Sequence, residues 1–275
     1  MTRRRLLVVL LFMAIAGSVA WASVRPGNDR TWIPEQSRLP TAEFDGAIVA
    51  IDNVRNFDWT GDGAPVERWE RRTYDLDAIE SVWFVLTPFA TDWRGPAHAF
   101  LSFGFADSQY VAISIEARRE VGETYSILKG MLKRFEITYV VGDERDLIGV
   151  RTERQLDEVY VYPIRADRDA VRRLFTGMLE RANELAARPE FYGSLRNNCT
   201  TAILAHVNGI GDTRISYGWR VLVPGYSDGL ALELGLIDTD MPLDSARTRF
   251  RVNDRAGEHI QGDDFSTWIR AEPGG

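Results

Sequence analysis

Apolar and polar positions change period several times along the chain, and the changes divide it into elements. Residues 44–57 contain the apolar run Ala47, Ile48, Val49, Ala50, Ile51, which predicts a strand; 58–65 is turn-rich. A second apolar run over 81–86 stops at Pro88. Residues 98–105 and 110–118 read as two strands around the turn Ala106, Asp107, Ser108, and 135–141 and 159–164 as two more. The period then lengthens. Val171, Leu174, Phe175, Met178, Leu179, Ala182 and Leu185 fall on one face of a helix that Pro189 ends. A short link over 190–196 delivers a second helix starting at Cys199, with Asn198 as its N-cap. Residues 219–236 predict one more ordered element, and the polar stretch from Arg247 predicts a frayed end. Closely spaced strands with such helices predict an α+β fold, an antiparallel sheet with flanking helices on one side.

The N-terminus follows a different logic. Arg3, Arg4 and Arg5 precede an apolar run over 6–16, and Ala20, Trp21, Ala22 supply an A-x-A site. This is the layout of a secretory signal, with cleavage after Ala22 or retention as an anchor; either outcome exports the rest. No later segment is long and apolar enough to span a bilayer. The chain therefore divides into a signal peptide or N-terminal membrane anchor over 1–24, a polar linker over 25–42, a main domain over 43–215 and a C-terminal extension over 216–275.

Composition narrows the function classes. A net charge of −7 leaves no basic footprint for nucleic acid. One cysteine excludes an intrachain disulfide framework and a cysteine-based zinc site, three scattered histidines predict no metal cluster, and no cofactor is expected.

The single thiol is the main chemical signal. At a helix start it feels the positive end of the helix dipole, which predicts a lowered pKa and a reactive thiolate. Acyl-transfer chemistry also needs an imidazole and a group to orient it. His98 opens a strand. With the hairpin turn centred on Asp107, His98 falls opposite Glu116, so Glu116 is the third candidate, with Ser102 and Ser114 as alternatives. His206 reads as structural and His259 as without a role. Asn197 and Asn198 are candidates for oxyanion support or for capping alone. Arg118 and Arg119 are candidates for a lipid phosphate contact. The alternative for them, with Glu116, Glu120 and Glu123, is a set of surface ion pairs, as for Asp143, Glu144, Arg145 and Asp146. Trp83, Phe84, Phe89 and Trp93 either line a groove or pack the core.

An ordered set of short motifs resembles the Lnb N-terminal periplasmic domain family. It comprises Val54 to Phe57, His98 to Phe105, Ser114 to Arg118, Asp143 to Asp146, Tyr160 to Pro163, Phe191-Tyr192 and Asn198 to Thr201, spread over roughly residues 28–210. The family takes its name from an enzyme that N-acylates bacterial lipoproteins. The resemblance therefore implies a periplasmic thiol acyltransferase at the outer face of the inner membrane, with His98 and Cys199 as the catalytic pair and Glu116 on the matching strand. Phospholipid or lipoprotein would be acyl donor or acceptor, and the N-terminal segment would supply membrane contact. The order of histidine strand before cysteine helix is also similar to permuted papain-like (NlpC-like) enzymes and to lecithin–retinol acyltransferase. The resemblance to those folds implies a Cys199 thioester followed by transfer to an amine or water. A papain-like peptidase or amidase acting on cell-wall peptides, and a non-catalytic periplasmic binding module, are the alternatives.

Overall fold

The computed structural model describes residues 3–61, 63–90, 94–211 and 214–271; Trp93 lies outside them. Helix α1 (Arg3–Ser23) carries the N-terminal apolar run. Among the described residues no helix is long and apolar enough to cross a membrane. The body is an eight-stranded sheet built from β1 (Thr41–Asp45), β2 (Ile48–Arg55), β3 (Trp69–Asp75), β4 (Ile79–Pro88), β5 (Ala97–Phe105), β6 (Gln109–Arg118), β7 (Glu136–Gly142) and β8 (Tyr160–Pro163). The order is β1-β2-β7-β6-β5-β4-β8, with β3 paired to β2. Pairings are antiparallel except for a single parallel contact between β2 and β7 at Arg55 and Gly142. The chain is thus α+β, as its alternation of periods predicts.

Among the described residues the other α-helices are α2 (Ile127–Met131), α3 (Glu144–Gly149), α4 (Arg168–Ala187), α5 (Cys199–Ile210), α6 (Trp219–Leu222), α7 (Ser227–Glu233), α8 (Leu243–Phe250), α9 (Asn253–His259) and α10 (Phe265–Trp268), with short 3-10 turns between some elements and a π-helical turn at Val150–Gln155. The apolar stripe of α4 is buried at every position from Val171 to Leu185 that the periodicity selects. It packs with α5 on one face of the sheet, against Leu101, Phe103, Ile113 and Ile115.

Three expectations fail here. Helices cover both faces, not one: Val85, Phe100, Ala112, Val140 and Val161 pack on the second face against Leu147, Ile148, Val252, Ala256, Phe265 and Ile269. The end of the chain is correspondingly ordered. Its polar helices hold on through a few apolar anchors and through Arg270, which lies between the Trp83 and Tyr110 rings at 4.5 and 4.1 Å and binds the buried Glu144. Finally, the polar stretch over 25–42 is no free linker. Trp32 and Gln36 are buried, and residues from Thr41 already form an edge strand. The hydrogen bonds that hold this stretch join polar groups, which an apolar pattern does not register.

Candidate functional site

The β5–β6 hairpin sets the site. Its turn contains Asp107 and Ser108, both at positive φ, and its register runs from Phe105 opposite Gln109 to Phe100 opposite Ser114. Continuing that register places His98 opposite Glu116. The ladder stops at Phe100 and Ser114, so the strands part where His98 and Glu116 stand. The approach to β5 is held by the C-terminal half of the chain. Gly225 lies so close to the Arg94 carbonyl that no Cβ would fit, and Arg94 Nη2 donates to the buried Asp228 at 3.2 Å.

His98 reaches Glu116 through Ser114. Its Nε2 lies 2.7 Å from Ser114 Oγ, and that hydroxyl donates to Glu116 Oε1 at 2.8 Å. Direct separation from Nε2 to Oε1 is 3.9 Å. The one hydroxyl hydrogen of Ser114 goes to the carboxylate, so Nε2 must be the protonated ring nitrogen and Nδ1 carries the free lone pair. Glu116 is held from two further sides: Gln36 Nε2 donates to Oε2 at 2.6 Å, and Arg151 Nη2 stands 3.5 Å from Oε1. Arg151 leaves the π-helical turn, lies on the Phe100 ring at 4.7 Å and donates to the Leu147 carbonyl.

The charges follow from this packing. Burial, with Arg151 nearby, pushes the His98 imidazolium down to about 3, so the ring is neutral. Burial alone would raise the Glu116 carboxyl. The guanidinium groups of Arg151 and Arg55 and the Gln36 hydrogen bond outweigh it and hold the group well below the usual carboxylate range. Behind Glu116 lies a second buried pair. Arg55 Nε and Nη2 grip Asp146 at 2.8 and 2.9 Å, and Asp146 also accepts from Trp59 Nε1 and the Phe57 amide. Glu144, Asp146 and Arg118 are buried, which corrects their reading as surface ion pairs, and Arg151 is buried beside them.

Cys199 approaches from the other face. It is the first residue of α5, and Asn198 caps that helix by accepting from the Thr201 amide at 2.9 Å while Thr201 Oγ1 accepts from the Asn198 amide at 2.9 Å. The backbone N–H groups of Ala99, Thr200 and Cys199 favour a thiolate, yet burial is the larger effect and pushes the thiol up. The expected lowering by the helix dipole is therefore reversed: a desolvated sulfur loses more than the first helical turn returns. The thiol and imidazole line one cavity of about 370 Å³, shared with Gln36, Phe89, Arg119, Tyr125, Arg151 and Tyr192. Among the described residues no hydrogen bond joins thiol to imidazole.

The remaining candidates separate. Asn197 Nδ2 donates to the Phe191 carbonyl and Asn198 Nδ2 to the Ser194 carbonyl, so both amides hold the loop before α5. Arg118 is buried on Trp32 at 4.1 Å and spends its nitrogens on the Gln36 and Ser37 carbonyls and Asn28 Oδ1; it is not available to a lipid phosphate. Arg119 stands at the cavity wall. Ser102 lies away from the cavity, 3.5 Å from Arg270. His206 bonds Tyr139 at 2.8 Å, and His259 pairs with Asp264. Phe84 packs the core and Phe89 lines the cavity. Gln36 and Arg151 carry no local signal, because they reach Glu116 from 80 and 35 residues away. Among the described residues no group of His, Cys, Asp and Glu is placed to hold a metal ion.

The model of the Lnb N-terminal periplasmic domain family matches residues 66–225. No curated protein and no solved structure matches the chain.

Proposed function

From the premise that this chain belongs to the Lnb N-terminal periplasmic domain family, we propose that it is an exported thiol enzyme that transfers or hydrolyses acyl groups of lipid esters. The observation that carries the reading is the neutral His98, its Nε2–H committed to Ser114 and through that hydroxyl to Glu116, and its Nδ1 free, in one cavity with the thiol of Cys199. In the proposed cycle His98 Nδ1 takes the thiol proton as Sγ attacks the acyl carbonyl carbon. The ester C–O bond breaks, the leaving alcohol takes the proton from His98, and a Cys199 thioester remains. An amine or water then attacks the thioester, yielding an amide or a carboxylic acid and restoring the thiol. Backbone N–H groups of Ala99 and Cys199, which point at the sulfur, are the proposed oxyanion donors, and Arg119 the proposed contact for a lipid phosphate.

The mixed lining of the cavity, with Gln36, Gln155, Arg151 and Asp157 beside Phe89 and Tyr192, favours a second reading, a papain-like amidase acting on cell-wall peptides. Incubation with diacyl phospholipid vesicles and, separately, with purified cell-wall material distinguishes the two. Appearance of lysophospholipid, lost in Cys199→Ala, is the expected result. Peptide release from the wall with no change in phospholipid would replace the first reading by the second.

A further inference from the structure

The chain contains two lysines, Lys129 and Lys133, and both lie in the segment over 121–134. That segment also holds Ile127, Leu128 and Leu132, which are 50, 67 and 60% exposed. Helix α2 cannot turn these side chains inward, because its inner face is closed. Gly130 packs against Ser194 and Tyr192 so closely that a Cβ would stand 2.3 and 3.3 Å from their side chains, and Ser194 Oγ donates to the Ile127 carbonyl at 2.8 Å. The same edge continues through the exposed Leu195, whose carbonyl accepts from the Tyr217 hydroxyl, to the exposed Trp219.

The apolar helix α1 meets the body here as well. Lys133 Nζ lies over the Trp21 ring at 3.9 Å and over the Phe191 ring at 5.6 Å, and the next residue, Tyr192, lines the Cys199 cavity.

We propose that this edge, formed by 121–134 with Leu195, Tyr217 and Trp219, rests on an anionic phospholipid surface. Three features select that occupant. Lys129, Lys133 and Arg134 face a single carboxylate, Glu123, within the segment, on a chain whose net charge is −7; the attraction is local and opposes the molecule's overall charge. Lysine stems lie along apolar surface while their ammonium groups stay in water, and tryptophan does the same with its indole N–H, so the edge presents apolar bodies with wet ends. It is also continuous with the exposed apolar helix that precedes the domain. Docked this way, the molecule brings the Tyr192 wall of the cavity to the lipid.

The two lysines make the contact directly readable. The full chain is mixed with phosphatidylcholine vesicles, with or without phosphatidylglycerol, and treated with an amine-reactive ester; labelling of Lys129 and Lys133 is then quantified by peptide mass spectrometry. Both lysines are expected to label several-fold more slowly on vesicles containing phosphatidylglycerol, with the protection weakening as salt is added. A Leu128→Glu, Leu132→Glu double variant that folds with an unchanged circular-dichroism spectrum is expected to lose the protection, even where α1 keeps it on the vesicles. Vesicle-bound protein whose lysines label at the free rate would overturn the proposal. So would protection that survives the double variant, or that arises from raising protein concentration without lipid, which would mean a second copy covers the edge. Lysine protection and acyl-enzyme formation are separate readouts, so either proposal can fail without the other.

Discussion

Ser114 joins two groups that do not touch: Nε2 of His98 is 2.7 Å from its hydroxyl and 3.9 Å from Glu116. If His98 is the base, His98→Ala is expected to lower the turnover rate by roughly 10²–10⁴-fold. Ser114→Ala is expected to cost less than His98→Ala and by a factor that stays constant across pH, because the tautomer is no longer fixed. A pH–rate profile of each variant checks both. The resting pair is a neutral thiol and a neutral imidazole, so iodoacetamide is expected to alkylate Cys199 more slowly than free cysteine at neutral pH, with a midpoint shifted upward. Alkylation faster than free cysteine would contradict the dominance of burial. Cys199 and His98 are legible in the sequence by residue type and position; Glu116 follows only if the turn is centred on Asp107, and Ser114, an alternative there, is the side chain that touches His98. The thiol's pKa is not legible, because the helix position is local and the burial depends on the whole fold. The same limit hides Gln36 and Arg151.

Elements with a strong period are read correctly. The stripe of α4, the capped start of α5 and the hairpin of β5 and β6 all lie where their patterns place them. Strand β3 escapes notice because it has an exposed edge rich in Glu and Arg, and helices α8 to α10 because so few apolar residues anchor them. The buried Arg55–Asp146 pair joins β2 to α3 and has no period at all. It supports the segment that presents Arg151 to Glu116. Asp146→Ala leaves Arg55 buried and unpaired, along with the Trp59 and Phe57 donors, and is expected to destabilise the fold by about 3–5 kcal/mol. Denaturant unfolding of the variant measures it, and a loss within a few tenths of wild type would show that water replaces the carboxylate.

For the whole molecule, the buried histidines link stability to pH. His98 titrates ordinarily near 6.5 and in the fold at about 3, and burial lowers His206 to about 4. The unfolded chain therefore binds protons first, and stability is full above about pH 6.5 and falls as pH drops toward those values. Glu116, held well below its ordinary 4.5, adds a further loss below pH 4.5. Denaturant midpoints measured from pH 7 to 5 are expected to decline, and His98→Asn to flatten the decline while leaving the share due to His206. An unchanged slope in that variant would mean that His98 is solvated.

The most direct test of the account is intact-protein mass spectrometry of the full chain after mixing with phospholipid vesicles, with Cys199→Ala and His98→Ala beside it. A hydroxylamine-sensitive mass gain of one fatty acyl chain, absent from Cys199→Ala and much reduced in His98→Ala, is the predicted result. The same gain in Cys199→Ala, or none in wild type on vesicles to which it is bound, would contradict a thiol acyl-enzyme.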